Sequence, residues 1–349
     1  MELVESTSFC KRTKMEATMM SKTILDVLTL GDLMVDFTPA GISPKGNLLY
    51  ERNPGGAPAN VAVTVSRLGG KSGFLGTVSD DIFGHFLADA MTKFGVNIQG
   101  LRFTRKAPTK MAFITLDENN NRSFDFTRGE VAETYYSPED IDEQLIDACR
   151  VFLLSTVSQY KEPCRFAAAK IVEMVKERGK LLVYDPNWNI AFSNDKEFER
   201  TVMLDTMHKA DIVKISVEEA EFLFGKDITY EAVAHKIRSF GAKFVTITLG
   251  PRGCFYSYKG GEGHLPTYDV KVADTTGSGD AFIGGFIYQL TRLNMPVIEQ
   301  IPQPDIERML RFAHACGALC ASRKGAMPSV ENEAEVERCM QEVPILLFD

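Results

Sequence analysis

From about residue 150 onward, the sequence alternates short apolar runs with longer runs of helical periodicity. Val151–Leu154 has the pattern of a strand, Arg165–Glu177 that of a helix, and Lys180–Tyr184 that of a second strand. The alternation continues through the strand patterns Asp211–Ile215 and Lys243–Leu249. Strands that are apolar on both faces need helices on both sides, and repeated βα units supply them. The pattern therefore predicts an α/β fold whose parallel sheet is covered on both faces.

The first part of the chain follows the same alternation, but two regions with the pattern of β hairpins interrupt it. These regions are about residues 38–53 and 102–130. Within the second, Met111–Asp117 and Arg122–Thr127 alternate polar and apolar residues and are joined by an Asn-rich turn, which is typical of a hairpin. We interpret both regions as a small β lid inserted into a single domain of residues 23–345.

Charge and composition exclude several classes of partner. The chain has 39 Lys and Arg against 47 Asp and Glu, a formal net charge of −8, so it has no general basic surface for nucleic acid or anionic membrane. It contains no apolar run of about 18 residues that would span a membrane. Residues 1–22 lack the apolar core of a signal peptide and are expected to be a disordered extension. The seven cysteines lack C-x-x-C spacing and the five histidines lack zinc-site spacing, which favours a reduced, cytoplasmic protein without zinc.

The strongest local motif is Asp274–Phe282 (Asp-Thr-Thr-Gly-Ser-Gly-Asp-Ala-Phe), at the start of an apolar helix. Gly277 and Gly279 allow a tight turn that brings several backbone N–H groups close to an anion. The helix N-terminus adds partial positive charge, so the turn is a candidate phosphate site. Asp280 stands where a carboxylate would face the transferred group and accept a proton from an attacking hydroxyl. The alternative is an ordinary capped helix with Asp in its first turn.

A second glycine-rich motif, Gly55-Gly56-Ala57-Pro58-Ala59-Asn60, precedes another helix. Its two glycines allow a ligand to approach the backbone closely. The amide of Asn60 can donate to one hydroxyl and accept from another. The alternative for Asn60 is a helix cap, and the spacing alone does not separate the two.

Three further motifs follow predicted strands at the end where open α/β sheets bind ligands. The strand Lys180–Tyr184 is followed by Asp185-Pro186-Asn187. The strand Asp211–Ile215 is followed by Ser216-Val217-Glu218-Glu219. The strand Lys243–Leu249 ends in Leu249-Gly250-Pro251-Arg252-Gly253. Taken singly, they read as a proline turn, a helix cap with acidic first-turn residues, and a plain turn. Together, glycine-rich and acidic elements at successive strand ends have the layout of a nucleotide site.

The two glycine-rich motifs together resemble the two signatures of the ribokinase-like (PfkB-type) carbohydrate kinases, and the chain is most similar to fructokinases. The residues that carry the resemblance are Gly55–Gly84 and Asp274–Gly285, and the likeness extends over about Leu25–Val330. It implies a ribokinase-like three-layer α/β/α sandwich with a small β-sheet lid. It also implies transfer of a phosphoryl group from ATP to a sugar hydroxyl, with Mg²⁺ and K⁺ as cofactors.

The resemblance implies a role for each matching residue. Asp280 is expected to be the catalytic base, and the N–H groups of Gly277, Ser278 and Gly279 are expected to form an anion hole for the γ-phosphate. The expected sugar-binding residues are Asp36, Gly55, Gly56, Asn60 and Arg128. The expected ATP-binding residues are Asn187, Thr248, Gly250, Gly253 and Gly325. Glu219 is expected to organise Mg²⁺ through water, and Asp274 and Ser329 fall where many relatives bind K⁺.

The sequence departs from the family pattern at Asn189, Ser216 and His314, where relatives usually have Arg, Asn and Asn. Arg128 is followed by Gly-Glu-Val-Ala rather than by the Asn-Pro-Ser-Ala-Asp of fructokinases, which leaves the sugar open. D-Fructose, phosphorylated at O6, is the first expectation. 2-Keto-3-deoxygluconate is the alternative because Arg pairs well with a carboxylate, and another sugar or a nucleoside also remains. A catalytically inactive binding relative is the last alternative, and intact Asp280 argues against it. Pairing of two lids into a homodimer is also expected.

Overall fold

The computed structural model describes residues 24–116, 122–127, 129–188, 193, 195–293, 297–327, 329 and 332–347. The extension predicted for residues 1–22 lies outside them. The strands are β1 (Leu25–Leu30), β2 (Met34–Ile42), β3 (Leu48–Gly55), β4 (Ser72–Ser79), β5 (Asn97–Thr104), β6 (Met111–Leu116), β7 (Arg122–Phe126), β8 (Cys149–Leu154), β9 (Leu181–Tyr184), β10 (Ile212–Ser216), β11 (Phe244–Thr248), β12 (Cys254–Tyr258) and β13 (Gly261–Leu265).

The α-helices lie between these strands and after them. They are α1 (Ala57–Arg67), α2 (Ile82–Lys93), α3 (Glu143–Ala148), α4 (Cys164–Glu177), α5 (Lys196–Met207), α6 (Val217–Phe224), α7 (Tyr230–Ser239), α8 (Ser278–Arg292), α9 (Gln303–Ala321) and α10 (Glu333–Glu342). Within the described segments, none of them combines the length and apolar character needed to cross a membrane.

The large sheet of the described chain has the strand order β13-β12-β11-β10-β9-β8-β1-β4-β5. Its pairs from β5 to β11 are parallel, and β12 and β13 are added antiparallel at one end. The predicted parallel sheet is therefore confirmed, with an antiparallel extension that begins at Cys254. Since the parallel strands all point the same way, their carboxyl ends and the loops that follow lie along one edge.

Alternate residues of the central strands pack into two separate cores. Leu28 of β1 is buried in a cluster with Ile171 of α4. Its neighbour Val27 is buried on the other face, in a cluster with Ile287 of α8 and Met309 of α9. The large sheet is therefore the middle layer of an α/β/α sandwich, as the resemblance implied.

The small sheet consists of β3, β2, β6 and β7 in that order. The hairpin predicted in the second lid region is confirmed, because β6 and β7 pair antiparallel, although its turn lies outside the described residues. The lid boundaries differ from the prediction. Residues 102–104 belong to β5, which pairs with β4 at the edge of the large sheet. The small sheet also begins earlier than residue 38, since β2 starts at Met34. β5 was missed because its residues, Asn-Ile-Gln-Gly-Leu-Arg-Phe-Thr, form no apolar run.

Candidate active site

The loops that follow four strands of the large sheet meet at its carboxyl edge. Asp32 follows β1, Asp185 follows β9, Glu219 lies just after β10, and Gly250 follows β11. The register aligns the last residues of β10 and β11, because Ser216 pairs with Thr248. The predicted ligand-binding ends of these strands are thus brought to one place.

Asp280 lies at the centre of this edge, in the first turn of α8, and is only 6% exposed. Its Oδ2 accepts a hydrogen bond from Nδ2 of Asn60 at 2.8 Å. Its Oδ1 accepts one from Nδ2 of Asn187, also at 2.8 Å. The structure therefore brings together three side chains that the sequence placed in three separate motifs, and both carboxylate oxygens are held in fixed directions.

The backbone of Asn187 has an unusual conformation that serves this contact. Its φ is +49°, in the left-handed region. Among the described residues other than glycine, Asn187 alone has a positive φ. Asn is one of the few residue types that adopt this region at modest cost. Strained backbone of this kind is typical of sites where a side chain must point in one direction. Here the direction is toward Asp280.

The electrostatic environment of Asp280 raises its pKa to about 7. Burial is the largest cause, because it penalises the charged form. The hydrogen bond from Asn60 and the positive charge of Lys214 lower the pKa, whereas the carboxylates of Asp185 and Asp32 raise it. A carboxyl group with a pKa near neutrality can both accept and release a proton under ordinary conditions.

The turn before α8 is tight at Gly277, as the Gly-Ser-Gly motif predicted, whereas Gly279 already lies within the helix. Gly277 has a φ of +78° and lies against Ala326, so that a Cβ at Gly277 would overlap the Cβ of Ala326. A Cβ at Gly279 would stand 3.0 Å from Nζ of Lys214. The N–H of Ser278 donates within the turn to the carbonyl of Thr275 at 3.2 Å. The turn thus presents a helix N-terminus beside a buried ammonium group, which is a favourable place for an anion.

The predicted sugar-binding residues lie on the side of Asp280 toward the small sheet. Asp36 of β2 is 6% exposed, and its Oδ2 lies so close to Gly55 that a Cβ there would overlap it. Gly56, with a φ of +113°, lies against the carbonyl of Asp32 in the same way. Within the described part of the chain, Oδ1 of Asp36 and Oδ1 of Asn60 are buried without a hydrogen-bond partner. Buried acceptors without a partner are suited to hydroxyl donors from a ligand.

A second charged cluster, not recognised in the sequence, lies beside Asp36. Nζ of Lys110 is 3.0 Å from Oε1 of Glu133 and 3.4 Å from Oδ2 of Asp32. Burial is the main cause that raises the pKa of Asp36 to about 7, followed by repulsion from Asp32, and Lys110 partly offsets both. The sugar side of the site is therefore rich in carboxylates, and its described lysine is already bound by two of them.

Lys214 is another charged residue of the site that sequence reasoning missed. It lies in the buried strand β10, and its Nζ is 3.1 Å from Oδ1 and 3.0 Å from Oδ2 of Asp185. Both side chains are at most 6% exposed. A lysine within the otherwise apolar run Ile-Val-Lys-Ile was the available clue, because an unpaired charge is rarely buried.

Glu219 joins two loops of the site. Its Oε1 accepts a hydrogen bond from the N–H of Trp188 at 2.7 Å, next to Asn187, and its Oε2 accepts one from the N–H of Ser216 at 2.6 Å. Ser216 in turn caps α6, so Ser replaces the usual Asn of the family without loss of the helix cap. Burial is the main cause that raises the pKa of Glu219 to about 7. Its carboxylate supplies the oxygen donors that Mg²⁺ prefers.

Three of the predicted nucleotide-binding residues lie at the end of β11, whereas Asn187 contacts Asp280 and Gly325 contacts Asp274. Thr248 ends β11, and its Oγ1 is 3.4 Å from the carbonyl of Ile215. Gly250 and Gly253 have φ values of +58° and +87° in the turn between β11 and β12. Gly325, with a φ of +81°, donates its N–H to Oδ2 of Asp274 at 3.1 Å. A Cβ at Gly250 would meet nothing within 4 Å, whereas a Cβ at Gly253 would overlap the carbonyl oxygen of Leu265, so only the Gly250 position is open.

Asp274 ties together the two loops that carry the predicted K⁺ site. Besides the N–H of Gly325, it accepts the N–H of Thr276 at 2.8 Å on Oδ1. Ser329 is buried in the second loop, where its hydroxyl donates to the carbonyl of Ala326. Buried carboxylate and carbonyl oxygens are the donors that a hard monovalent cation would require, so the residues fit such an ion.

Of the three remaining residues singled out in the sequence, the structure describes one. His314 is buried, with Nε2 3.2 Å from Sγ of Cys254, and burial lowers its pKa to about 3, so it is a neutral core residue. Arg128 and Asn189 lie outside the described residues.

Comparison with known proteins identifies relatives along nearly the whole chain. The family described as pfkB family carbohydrate kinase matches residues 25–333. Probable fructokinase-2 of Arabidopsis thaliana is 38% identical over 311 residues, which are 88% of this chain and 94% of that protein. The structure of fructokinase from Xylella fastidiosa with bound ATP has a TM-score of 0.83 at 28% identity, covering 91% of this chain and 99% of that one. A fructokinase double mutant from Vibrio cholerae O395, with fructose, ADP and potassium ion bound, has a TM-score of 0.78 at 30% identity, covering 91% and 99%.

Proposed function

The chain belongs to the pfkB family of carbohydrate kinases, and we propose that it transfers the γ-phosphoryl group of ATP to O6 of D-fructose. It is an ATP-dependent sugar kinase by its family and its fructokinase relatives. The observation that carries the proposed mechanism is the buried carboxylate of Asp280, held by Asn60 and Asn187 beside the glycine turn of α8.

The mechanism is a direct in-line transfer. The sugar hydroxyl lies next to Asp280, which accepts its proton as the oxygen attacks the γ-phosphorus. The new O6–P bond forms while the bond between the γ-phosphorus and the bridging oxygen breaks, and ADP leaves with that oxygen. The N–H groups of Gly277 and Gly279, together with the helix N-terminus, stabilise the negative charge on the phosphoryl oxygens. The N–H of Ser278, the third group expected in the anion hole, donates to the carbonyl of Thr275 in this structure.

The charge on the sugar side favours a neutral polyol over a sugar acid. The unpaired acceptors on Asp36 and Asn60 are complementary to hydroxyl donors. Asp32 adds a second carboxylate next to Asp36, and Lys110 is engaged by Asp32 and Glu133, so a substrate carboxylate would meet repulsion there. These contacts support fructose ahead of 2-keto-3-deoxygluconate, with Arg128 as the residue that would favour the sugar acid.

The proposed cofactors follow from the buried oxygen donors at the edge. Glu219 would hold Mg²⁺ of MgATP through water, and the ion would neutralise charge on the β- and γ-phosphates. Asp274 and Ser329 would hold K⁺ behind the glycine turn. The Vibrio cholerae fructokinase structure contains a potassium ion, which supports this proposal.

A homodimer formed through the small sheet is also proposed. Large apolar side chains on β2, β3 and β6 are exposed, among them Ile42 at 64%, Leu48 at 47% and Phe113 at 40%. A second copy of this chain would cover them, and two-fold pairing of identical surfaces is the commonest oligomer. We also propose a cytoplasmic location, which the free thiols of the described cysteines support.

The test of the proposed acceptor is an assay of ADP release over fructose, 2-keto-3-deoxygluconate, ribose, tagatose and adenosine. Fructose is expected to give the highest kcat/KM. The product is then offered to phosphoglucose isomerase, which acts on fructose 6-phosphate and not on the 1-phosphate, so that the position of transfer is read directly. A higher kcat/KM for the sugar acid would refute the assignment to fructose. No turnover with any acceptor would favour a binding protein that has lost catalysis.

A further inference from the structure

Lys214 lies at a buried position, where a charged side chain is costly unless it is paired. It lies in β10, in the middle of the large sheet, where the adjacent residues Val213 and Ile215 are fully buried. Its own side chain is 6% exposed. An ammonium group in such a position loses its hydration, and burial alone would lower its pKa. The surrounding carboxylates outweigh burial and raise the pKa, so Lys214 is charged.

The ammonium contacts both segments that determine the position of Asp280. On one side it binds Asp185, at 3.1 and 3.0 Å, two residues before Asn187, whose amide holds Asp280. On the other side it lies against Gly279, the residue that precedes Asp280, at 3.0 Å from where a Cβ would stand. A Cβ at Gly279 would therefore press on the ammonium, which would have to move by a few tenths of an ångström.

The charges around Asp280 come from every element packed against it. Asp185 after β9, Asp32 after β1 and Glu219 at the start of α6 are carboxylates, and Lys214 of β10 faces Asp185, Glu219 and Asp280. Asn60 and Asn187 contribute neutral donors. If the ammonium were removed, the carboxylates would repel one another in a buried site.

On the basis of the proposed function, we propose that Lys214 is a positioning residue for phosphoryl transfer. Its ammonium neutralises Asp185 and holds Asp280 in the ionised form that accepts the proton of the sugar. Lys214 is distinct from the sugar-binding residues and from the N–H groups of the turn, since its proposed effect on the base runs through Asp185 and Asp280. A purely structural ion pair between β9 and β10 would instead affect folding and leave the ionisation of the base unchanged.

The test is the pH dependence of kcat at saturating ATP and sugar, between about pH 5 and 9.5. In Lys214→Met the acid limb is expected to move to higher pH by about one unit or more, since loss of a nearby positive charge disfavours the ionised base. Lys214→Arg is the matched control, because it keeps the charge, and its limb is expected to stay near that of the wild type. The KM for the sugar is expected to change little in either variant.

Two further variants separate charge from packing. Lys214→Gln can still donate to Asp185 but carries no charge, and it is expected to show the same displacement as Lys214→Met; it replaces that variant if Lys214→Met does not fold. In the double variant Lys214→Met with Asp185→Asn, opposite charges are lost together, so its limb is expected between the single variant and the wild type. An unmoved acid limb in Lys214→Met or Lys214→Gln would overturn the proposal. The comparison uses whichever sugar the wild type phosphorylates, so it is independent of the assignment to fructose.

Discussion

Asn60 and Asp280 are 220 residues apart in the chain and are joined by a buried hydrogen bond of 2.8 Å. Asn60 lies in α1, near Gly55, which packs against Asp36, whereas Asp280 lies in α8, beside the turn proposed to bind phosphate. One amide thus contacts the proposed base with its nitrogen and has its oxygen free for a sugar hydroxyl. The side chain of Asn60 therefore links the proposed sugar-binding site to the proposed phosphate-binding turn.

Replacing Asp280 with Asn is expected to lower kcat by about 100-fold or more, the usual scale for loss of a general base. The affinity for ATP is expected to stay within a few fold, because Asp280 is proposed to face the sugar hydroxyl rather than the adenine nucleotide. Steady-state kinetics and ATP binding by calorimetry provide the two measurements. Near wild-type kcat in this variant would exclude Asp280 as the base.

The pH profile of the wild-type enzyme is expected to follow the raised pKa of Asp280. Burial raises this pKa to about 7, and only the ionised carboxylate can accept the sugar proton. The rate is therefore expected to be high above pH 7 and to fall by about tenfold per unit once the pH is well below the pKa. A flat kcat between pH 5.5 and 8, measured with an assay whose coupling enzymes are in excess, would contradict this expectation.

Gly55→Ala tests the close packing of Asp36. The added methyl group would overlap Oδ2 of Asp36 and force the carboxylate to move. We expect the KM for fructose to rise by about tenfold, which corresponds to about 1.4 kcal/mol of lost binding. The KM for ATP in the same variant is the internal control and is expected to be unchanged. An equal rise in both values would indicate general disruption of the fold rather than a sugar contact.

Replacement of K⁺ by tetramethylammonium at constant ionic strength is expected to reduce kcat. An ion near Asp274 and Ser329 would hold the two loops that meet at Gly277 and Ala326, and a large organic cation cannot enter a buried site. Titration with K⁺ should restore the rate with saturation. Equal rates in both salts would show that the site binds no ion that matters for turnover.

The small sheet is expected to join two chains. Sedimentation at micromolar concentration should give twice the 38.8 kDa mass of one chain. Phe113→Glu, which places a charge on the exposed apolar face, is expected to shift the enzyme toward the monomer. The matched control is Phe166→Glu on α4, where an equally large ring is 51% exposed away from the small sheet. A wild-type monomer would refute the proposed dimer.

Much of the α/β body could be predicted because its local and global patterns agree. The helix expected over Val217–Phe224 has those bounds, and the strand expected over Cys254–Tyr258 does as well. The helix α5 was not predicted, because its sequence, Lys-Glu-Phe-Glu-Arg-Thr-Val-Met-Leu-Asp-Thr-Met, is mostly polar and contributes few residues to the core. An apolar stripe this narrow gives only a weak helical pattern in the sequence, and the helix is recognised only from its packing in the structure.

The candidate site divides in the same way. Asp280, Asn60 and Asn187 were each recognisable from a motif, but their contact depends on tertiary structure that no local pattern encodes. Lys214 and Lys110 were missed because a lysine has no motif of its own, and its partner is found only across neighbouring strands or loops. The Asp185–Lys214 pair, 29 residues apart, exists because β9 and β10 are adjacent in the sheet.

The small sheet is assembled from two excursions of the chain, which meet where β2 pairs in parallel with β6. The intervening chain, from α1 to β5, belongs to the body and carries Asn60. The small sheet is therefore not one continuous segment that could be removed or exchanged by itself. An exchange of one excursion between relatives by recombination would leave half a sheet without its partner strand, whereas point substitutions on either excursion keep the pairing. We expect the acceptor range of such an enzyme to change through point substitutions rather than through exchange of one excursion. Transfer of the small sheet to a relative requires both excursions.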